Sequence, residues 1–205
     1  MIDISSLRRS PFGNQTQGPR PNSAGEIGVR LKTSLLASVI LVHTWPDGTT
    51  GLEQALGQAL GVEVPQRTGQ TVCTPAGVLL MRSGPQECLL VADTGLDWYA
   101  ELRRSIPPEL GSVTDLSHAR CRIHLEGDKC LEVLAKLFAL PLSLTDFPVH
   151  ETRLSGHHHV PCTLHRLGQR EFALFVFTTY AQDQLDSLWD AALEYGVTLI
   201  IDGTL

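Results

Sequence analysis

Ser112-Val113-Thr114-Asp115-Leu116-Ser117-His118-Ala119-Arg120 is the stretch at which the order of elements along this chain starts over. Val113 and Leu116 flank a polar cluster of Thr114, Asp115, Ser117 and His118. An alternating stretch follows, with Cys121, Ile123 and Leu125 on one face and Arg120, Arg122 and His124 on the other. A period of two belongs to a half-buried strand. Residues 112–116 therefore read as the strand that closes one half of the chain, and 120–125 as the strand that opens the next. Polar residues held between two strands serve as a site, a turn lock or a partner contact.

Upstream, Ala37 to His43 reads as a buried strand, and Trp45-Pro46-Asp47-Gly48 as a turn. Thr50 and Glu53 have capping-box spacing for a helix whose apolar face is Leu52, Ala55, Leu56, Ala59 and Leu60, with Gly61 as its stop. Strands at 77–82 and 87–92 enclose a tight Ser83-Gly84-Pro85-Gln86 turn, and a helix at 96–106 buries Trp98, Tyr99 and Leu102 before Pro107-Pro108 ends it. Downstream the order repeats: strand 120–125, helix 128–139, strands 160–166 and 172–177, helix 181–194, strand 197–201. Each half reads β-α-β-β-α-β. The expected class is α+β, with two tandem ferredoxin-like halves at 31–116 and 117–205 packed as one structural unit. Residues 1–30, rich in Pro, Gly, Asn and Gln, hold too little apolar surface to offset their ordering entropy and read as a flexible arm. The long connections 61–76 and 140–159 are expected to touch partners or to contain an inserted short strand.

The chain has 205 residues, 42% hydrophobic and 19% charged, enough for one sizeable core or two small ones. A net charge of −6 argues against nucleic acid or an anionic membrane as partner. The longest apolar run, Leu35 to Val42, is far shorter than the ~20 residues of a membrane span and is too far from Met1 for a signal peptide, so a cytoplasmic protein is expected. Cys73, Cys88, Cys121, Cys130 and Cys162 form no C-x-x-C pair and read as buried thiols.

Candidate chemistry is sparse. His157-His158-His159 looks most like a metal site, but on an extended strand only His157 and His159 share a face and Cys162 falls on the other, so a solvated loop or adventitious binding is the expected reading and no metal site is expected. Asp115, Ser117 and His118 invite an acid–base reading, but no G-x-S-x-G elbow surrounds Ser117, and the better reading is a crossover locked by side-chain hydrogen bonds. Arg103-Arg104 and Arg120 with Arg122 are anion candidates or solvated faces. No Gly-rich phosphate fingerprint occurs, so flavin and NAD are not expected on this chain alone.

Taken together, Val113-Thr114-Asp115-Leu116-Ser117-His118, Gly84-Pro85-Gln86-Glu87-Cys88-Leu89-Leu90 and Leu164-His165-Arg166-Leu167 resemble, in order and spacing, the gamma subunit of heterotetrameric sarcosine oxidase. That family is related in fold to the folate-binding aminomethyltransferase T-protein. Cys88, where a larger apolar residue is expected, and the histidine triplet depart from its pattern. The resemblance implies a non-catalytic subunit that binds no cofactor itself. Its partners would be alpha, beta and delta subunits carrying FAD, FMN, NAD, tetrahydrofolate and zinc. It also implies family-motif roles for Gly84, Pro85, Thr114, Asp115, Ser117, His118, His165 and Arg166. A stand-alone folate-binding one-carbon transfer protein, with Asp115 as the acidic residue near the pterin, and an orphan interaction module are the alternatives.

Overall fold

The structure, a computed structural model, describes residues 9–13, 16–93 and 96–202. It is α+β, with a seven-stranded and a five-stranded sheet. The chain groups into two compact units: a smaller one of Leu36–Ser117 with His150–Leu154, and a larger one of the described residues up to Leu35, His118–Val149 and those from Ser155 on.

The smaller unit runs β3 (Ser38–Thr44), α1 (Thr49–Leu60), β4 (Thr71–Cys73), β5 (Leu79–Gly84), β6 (Glu87–Ala92), α2 (Trp98–Ser105) and β7 (Gly111–Asp115), with sheet order β4-β5-β6-β3-β7. Leu52, Leu56 and Leu60 recur every fourth residue and bury one stripe of α1 against Ile40, Val42, Leu80 and Leu90. Gly61 ends α1 in the left-handed region at φ 66°, where a side chain would be strained. The capping box does not form. α1 begins at Thr49, so Thr50 lies inside the helix and the N-cap is Gly48, which has no side chain to accept a bond, while the Glu53 carboxylate pairs with Arg82, 2.6 Å away. α2 is capped as its sequence allows, with the Asp97 side chain accepting from Ala100 N at 3.0 Å. Trp98 and Leu102 are buried there, whereas Tyr99, expected inside, is exposed. It follows Trp98 directly and so points about 100° around the helix from it.

The larger unit comprises β1 (Gly18–Arg20), β2 (Val29–Leu35), β8 (Arg120–Glu126), α3 (Cys130–Leu137), β9 (Thr152–His157, whose residues up to Leu154 group with the smaller unit), β10 (Val160–Gly168), β11 (Glu171–Phe177), α4 (Ala181–Ala192) and β12 (Val197–Ile201). Its sheet order is β1-β12-β2-β8-β11-β10-β9. Cys121, Ile123 and Leu125 of β8 face the core with Leu31, Val133, Leu134, Leu185, Leu188 and Leu199. A second half built from 117–205 alone does not describe this sheet. β2, which falls at the start of the expected first half, is inserted between β12 and β8, parallel to the former and antiparallel to the latter. Its alternation of buried Val29, Leu31, Thr33 and Leu35 with more exposed Arg30, Lys32 and Ser34 suits that slot.

Of the stretch expected as an arm, residues 1–8 and 14–15 lie outside the described residues. Phe12 is buried, and Gly18–Arg20 pairs antiparallel with Val197–Leu199 as an edge strand. Main-chain hydrogen bonds order this segment, and they need no apolar side chains. Both long connections contain short strands, β4 in one and β9 in the other. Among the described residues no helix is long and apolar enough to cross a membrane.

Candidate functional site

In the turn after β7, Asp115 and Ser117 are committed to local hydrogen bonds. Asp115 Oδ1 accepts from Ser117 N at 2.8 Å and from Ser117 Oγ at 2.6 Å. Ser117 Oγ in turn accepts from Val39 N at 3.0 Å, and Leu116 N donates to Val39 O at 2.7 Å. Carboxylate and hydroxyl are thus joined directly, with no imidazole between them. Thr114 and His118 are exposed, and it is the His118 carbonyl that is engaged, accepting from Thr178 Oγ1 at 3.0 Å. An acyl-transfer site needs its serine bonded to a base that can take the proton. Here the serine proton is spent on an anion that orders a turn.

Two hairpins carry the other motif residues, and their geometry repeats. In the smaller unit Arg82-Ser83-Gly84-Pro85-Gln86-Glu87 joins β5 to β6; in the larger, Arg166-Leu167-Gly168-Gln169-Arg170-Glu171 joins β10 to β11. Each ladder has its irregularity between the Arg and the Gly, and each Gly pairs with the Glu three residues on. The shared pattern, Arg-x-Gly-x-x-Glu, was legible in the sequence but is short enough to be overlooked without the register.

Both arginines are buried. Arg166, 1% exposed, donates to five main-chain carbonyls: Leu142 (2.8 Å), Ser143 (3.3 Å), Phe147 (2.8 Å), Gly168 (3.1 Å) and Gln169 (2.8 Å). Burial draws its pKa down from the usual arginine value. Arg82 donates to Glu53 and to the Pro85 carbonyl. Burial pulls it down as well, but the bond to Glu53 and the nearby Cys88 outweigh this and its pKa lies above the ordinary value. His165, beside Arg166, is buried. Gly84 and Pro85 form the β5–β6 turn, where the Pro85 carbonyl receives Arg82.

The histidine triplet is not an extended segment. His158 and His159 both have left-handed φ, 48° and 65°, and make the turn between β9 and β10. The expected convergence of His157 with His159 therefore gives way to a stacked pair, His157 on His158, with ring centroids 3.9 Å apart. His157 is buried beside Phe138, and burial, then the neighbouring His158, lower its pKa. Burial pushes the Cys162 thiol up to about 12, away from the thiolate that a metal would need.

Three of the four anion candidates are also engaged. The Arg120 guanidinium lies 3.3 Å over the Phe177 ring, Arg122 Nε donates to Ser34 Oγ at 3.1 Å, and Arg104 pairs with Glu101 at 2.7 Å. In the smaller unit Glu151 is clasped by Arg67 and Arg153. Burial raises its pKa, but the two guanidinium groups prevail and hold it below the ordinary glutamate range. Two clefts of about 510 and 580 Å³ lie on that unit. The first is lined by Glu53, Gln58 and Glu63 without a His, Cys or Ser; the second adds Thr71, His150 and Glu151. Among the described residues one set of three side chains, His124, Glu126 and Glu171, has metal-ligand spacing.

No family profile matches the chain. Over 196 residues, 95% of either chain, it is 29% identical to sarcosine oxidase subunit gamma of Corynebacterium sp. (strain U-96). It is 28% identical over 195 residues to the gamma subunits of Corynebacterium sp. (strain P-1) and Arthrobacter sp.. In structure, 92% of the chain superposes on 96% of a chain of heterotetrameric sarcosine oxidase from Corynebacterium sp. U-96 in complex with pyrrole 2-carboxylate, with a TM-score of 0.80 and 26% identity. Glycine cleavage system aminomethyltransferase T from Bartonella henselae matches 87% of the chain over 48% of its own, with a TM-score of 0.64 and 18% identity, a likeness of fold. The resemblance read from the three motifs, and the T-protein-like fold, are thereby borne out.

Proposed function

We propose that this chain, a homologue of sarcosine oxidase gamma subunits along nearly its whole length, is the non-catalytic gamma subunit of a heterotetrameric sarcosine oxidase and serves its assembly. The complex demethylates sarcosine to glycine. Two electrons pass to oxygen to form hydrogen peroxide, and the released one-carbon unit passes to tetrahydrofolate. Alpha, beta and delta subunits are the partners, in the cytoplasm, and FAD, FMN, NAD, tetrahydrofolate and zinc belong to them. Each unit is read as a split β-α-β-β-α-β core of the ferredoxin-like kind, the remainder of one duplicated motif.

The observation that carries this reading is how the polar motif residues are used. Asp115 and Ser117 are bonded to each other and to Val39, and Arg166 is enclosed by carbonyls. These groups hold turns in place, and their bonds to one another make no nucleophile–base pair. The same use of Asp115 weighs against a stand-alone folate protein, for which that carboxylate would have to meet the pterin.

Size-exclusion chromatography of the four co-expressed subunits tests the reading. The chain is expected to co-elute with the oxidase, and its omission to reduce the yield of assembled complex. Separate elution, with the remaining subunits oxidising sarcosine at full rate, would overturn it.

A further inference from the structure

The face of the seven-stranded sheet opposite its helices brings three ligating side chains together. His124 and Glu126 are two residues apart on β8 and so project from one face. Glu171 stands directly across from Glu126 in the β8–β11 ladder, with Ala173 across from His124. One donor atom from each of the three lies within 4.8 Å of the others, and all three residues are half-buried. His124 Nε2 is already 2.9 Å from Glu171 Oε1. We propose that His124, Glu126 and Glu171 form a site for a divalent transition-metal ion, Zn²⁺ foremost.

Like charges directly opposite on a sheet face destabilise the pair unless something neutralises them. Arg30, facing Glu126 from β2, stands 3.6 Å off on a largely exposed side chain, and such a contact contributes little. Lys32, across from His124, inclines to Asp202 at 3.9 Å. The closest partner of Glu171 is therefore the His124 imidazole. An ion among the three would cancel the repulsion and use all three donors.

One imidazole nitrogen and two carboxylate oxygens suit Zn²⁺ or Mn²⁺ better than the oxygen-only preference of Ca²⁺ or the thiolate preference of Cu⁺. Three protein ligands leave a further position for water or for a side chain of another protein. The ligands stand on paired strands, and Glu171 closes the hairpin whose turn Arg166 fixes through Gly168 and Gln169, so the donors are held by rigid structure. The stacked rings of His157 and His158 offer no such convergence; they and His159 are the place where zinc would bind adventitiously.

The test is calorimetric titration of Zn²⁺ into the chelator-treated full chain, with absorption spectroscopy of the Co²⁺ form as a second reading. One equivalent is expected. E171Q and E126Q, which keep side-chain size and whose folding is checked by circular dichroism, should each weaken binding by at least about tenfold and alter the Co²⁺ bands. The double variant H158N/H159N should bind as the parent does. Three results would each overturn the proposal: no saturable binding up to about 1 mM, glutamine variants that bind like the parent, or loss of binding in H158N/H159N.

Discussion

Replacing Arg166 by Met keeps the unbranched stem of the side chain and removes its five donated hydrogen bonds. The acceptors are the carbonyls of Leu142, Ser143 and Phe147, in the connection after α3, and of Gly168 and Gln169, in the β10–β11 turn. Each bond from a charged donor contributes ~1.5–3 kcal/mol. The five do not sum, because the turn carbonyls recover water once the guanidinium is gone. The Leu142 and Phe147 carbonyls, drawn inward beside the buried Phe147 ring, recover least. Removing one member of such a buried charged network costs about 3–5 kcal/mol. At ~2–4 °C per kcal/mol for a chain of this size, Tm should fall by about 6–20 °C. Thermal unfolding followed by circular dichroism measures it, with Arg103→Met as an exposed control and Arg166→Lys as a partial rescue. A loss under about 1 kcal/mol in Arg166→Met, or full rescue by Lys, would refute the account, since one ammonium cannot reach five carbonyls on two segments.

Asp115→Ala should destabilise the chain by ~1.5–3 kcal/mol through loss of its two bonds to Ser117; an unchanged Tm together with lost turnover of the assembled oxidase would instead make Asp115 catalytic. His157 has a lowered pKa, so the folded state binds its proton less readily than the unfolded chain. Its contribution to stability is complete above the ordinary histidine pKa and is lost as pH falls toward the folded value. Unfolding midpoints between pH 7.5 and 5.5 should therefore drop more in the parent than in His157→Asn; equal slopes would disprove it. Cys73 is exposed and the other four thiols are buried, so a native chain should react with a thiol reagent at one position and an unfolded chain at five. More than one fast thiol in the native protein would contradict that burial.

The elements most legible in the sequence are those whose own side chains carry the pattern. Glu87–Ala92 and Val197–Ile201 have the bounds their apolar runs imply, and α4 follows its Leu185–Leu188–Trp189–Ala192 stripe. Less legible features depend on distant partners. β1, with the sequence Gly-Pro-Arg, exists because β12 offers a free edge. The Thr50–Glu53 capping pattern is overridden by a buried arginine 29 residues away. At the candidate site, the Asp115–Ser117 link follows from local spacing, whereas the histidine triplet misleads. Histidine rarely takes two successive left-handed positions, so nothing in its side chain announces a turn there. The pairing of Glu126 with Glu171 needs the β8–β11 register, which no local period supplies.

The insertion of β2 between β8 and β12 makes the biosynthesis of this chain uneven in time. The strands and helices of residues 36–117 are all synthesised well before β12 at Val197–Ile201, so most of the smaller unit's partners are available early. β2 is synthesised before any of them, yet one of its two neighbours is the last strand of the chain. At a synthesis rate of about 5–20 residues per second, it waits roughly 10–30 seconds with an unpaired backbone edge. During that interval the alternating Arg30 and Lys32 keep one side of the strand charged, the usual protection of an open edge against another nascent chain. Truncation before Val197 would leave that edge open permanently, at a point in the sequence remote from every motif residue.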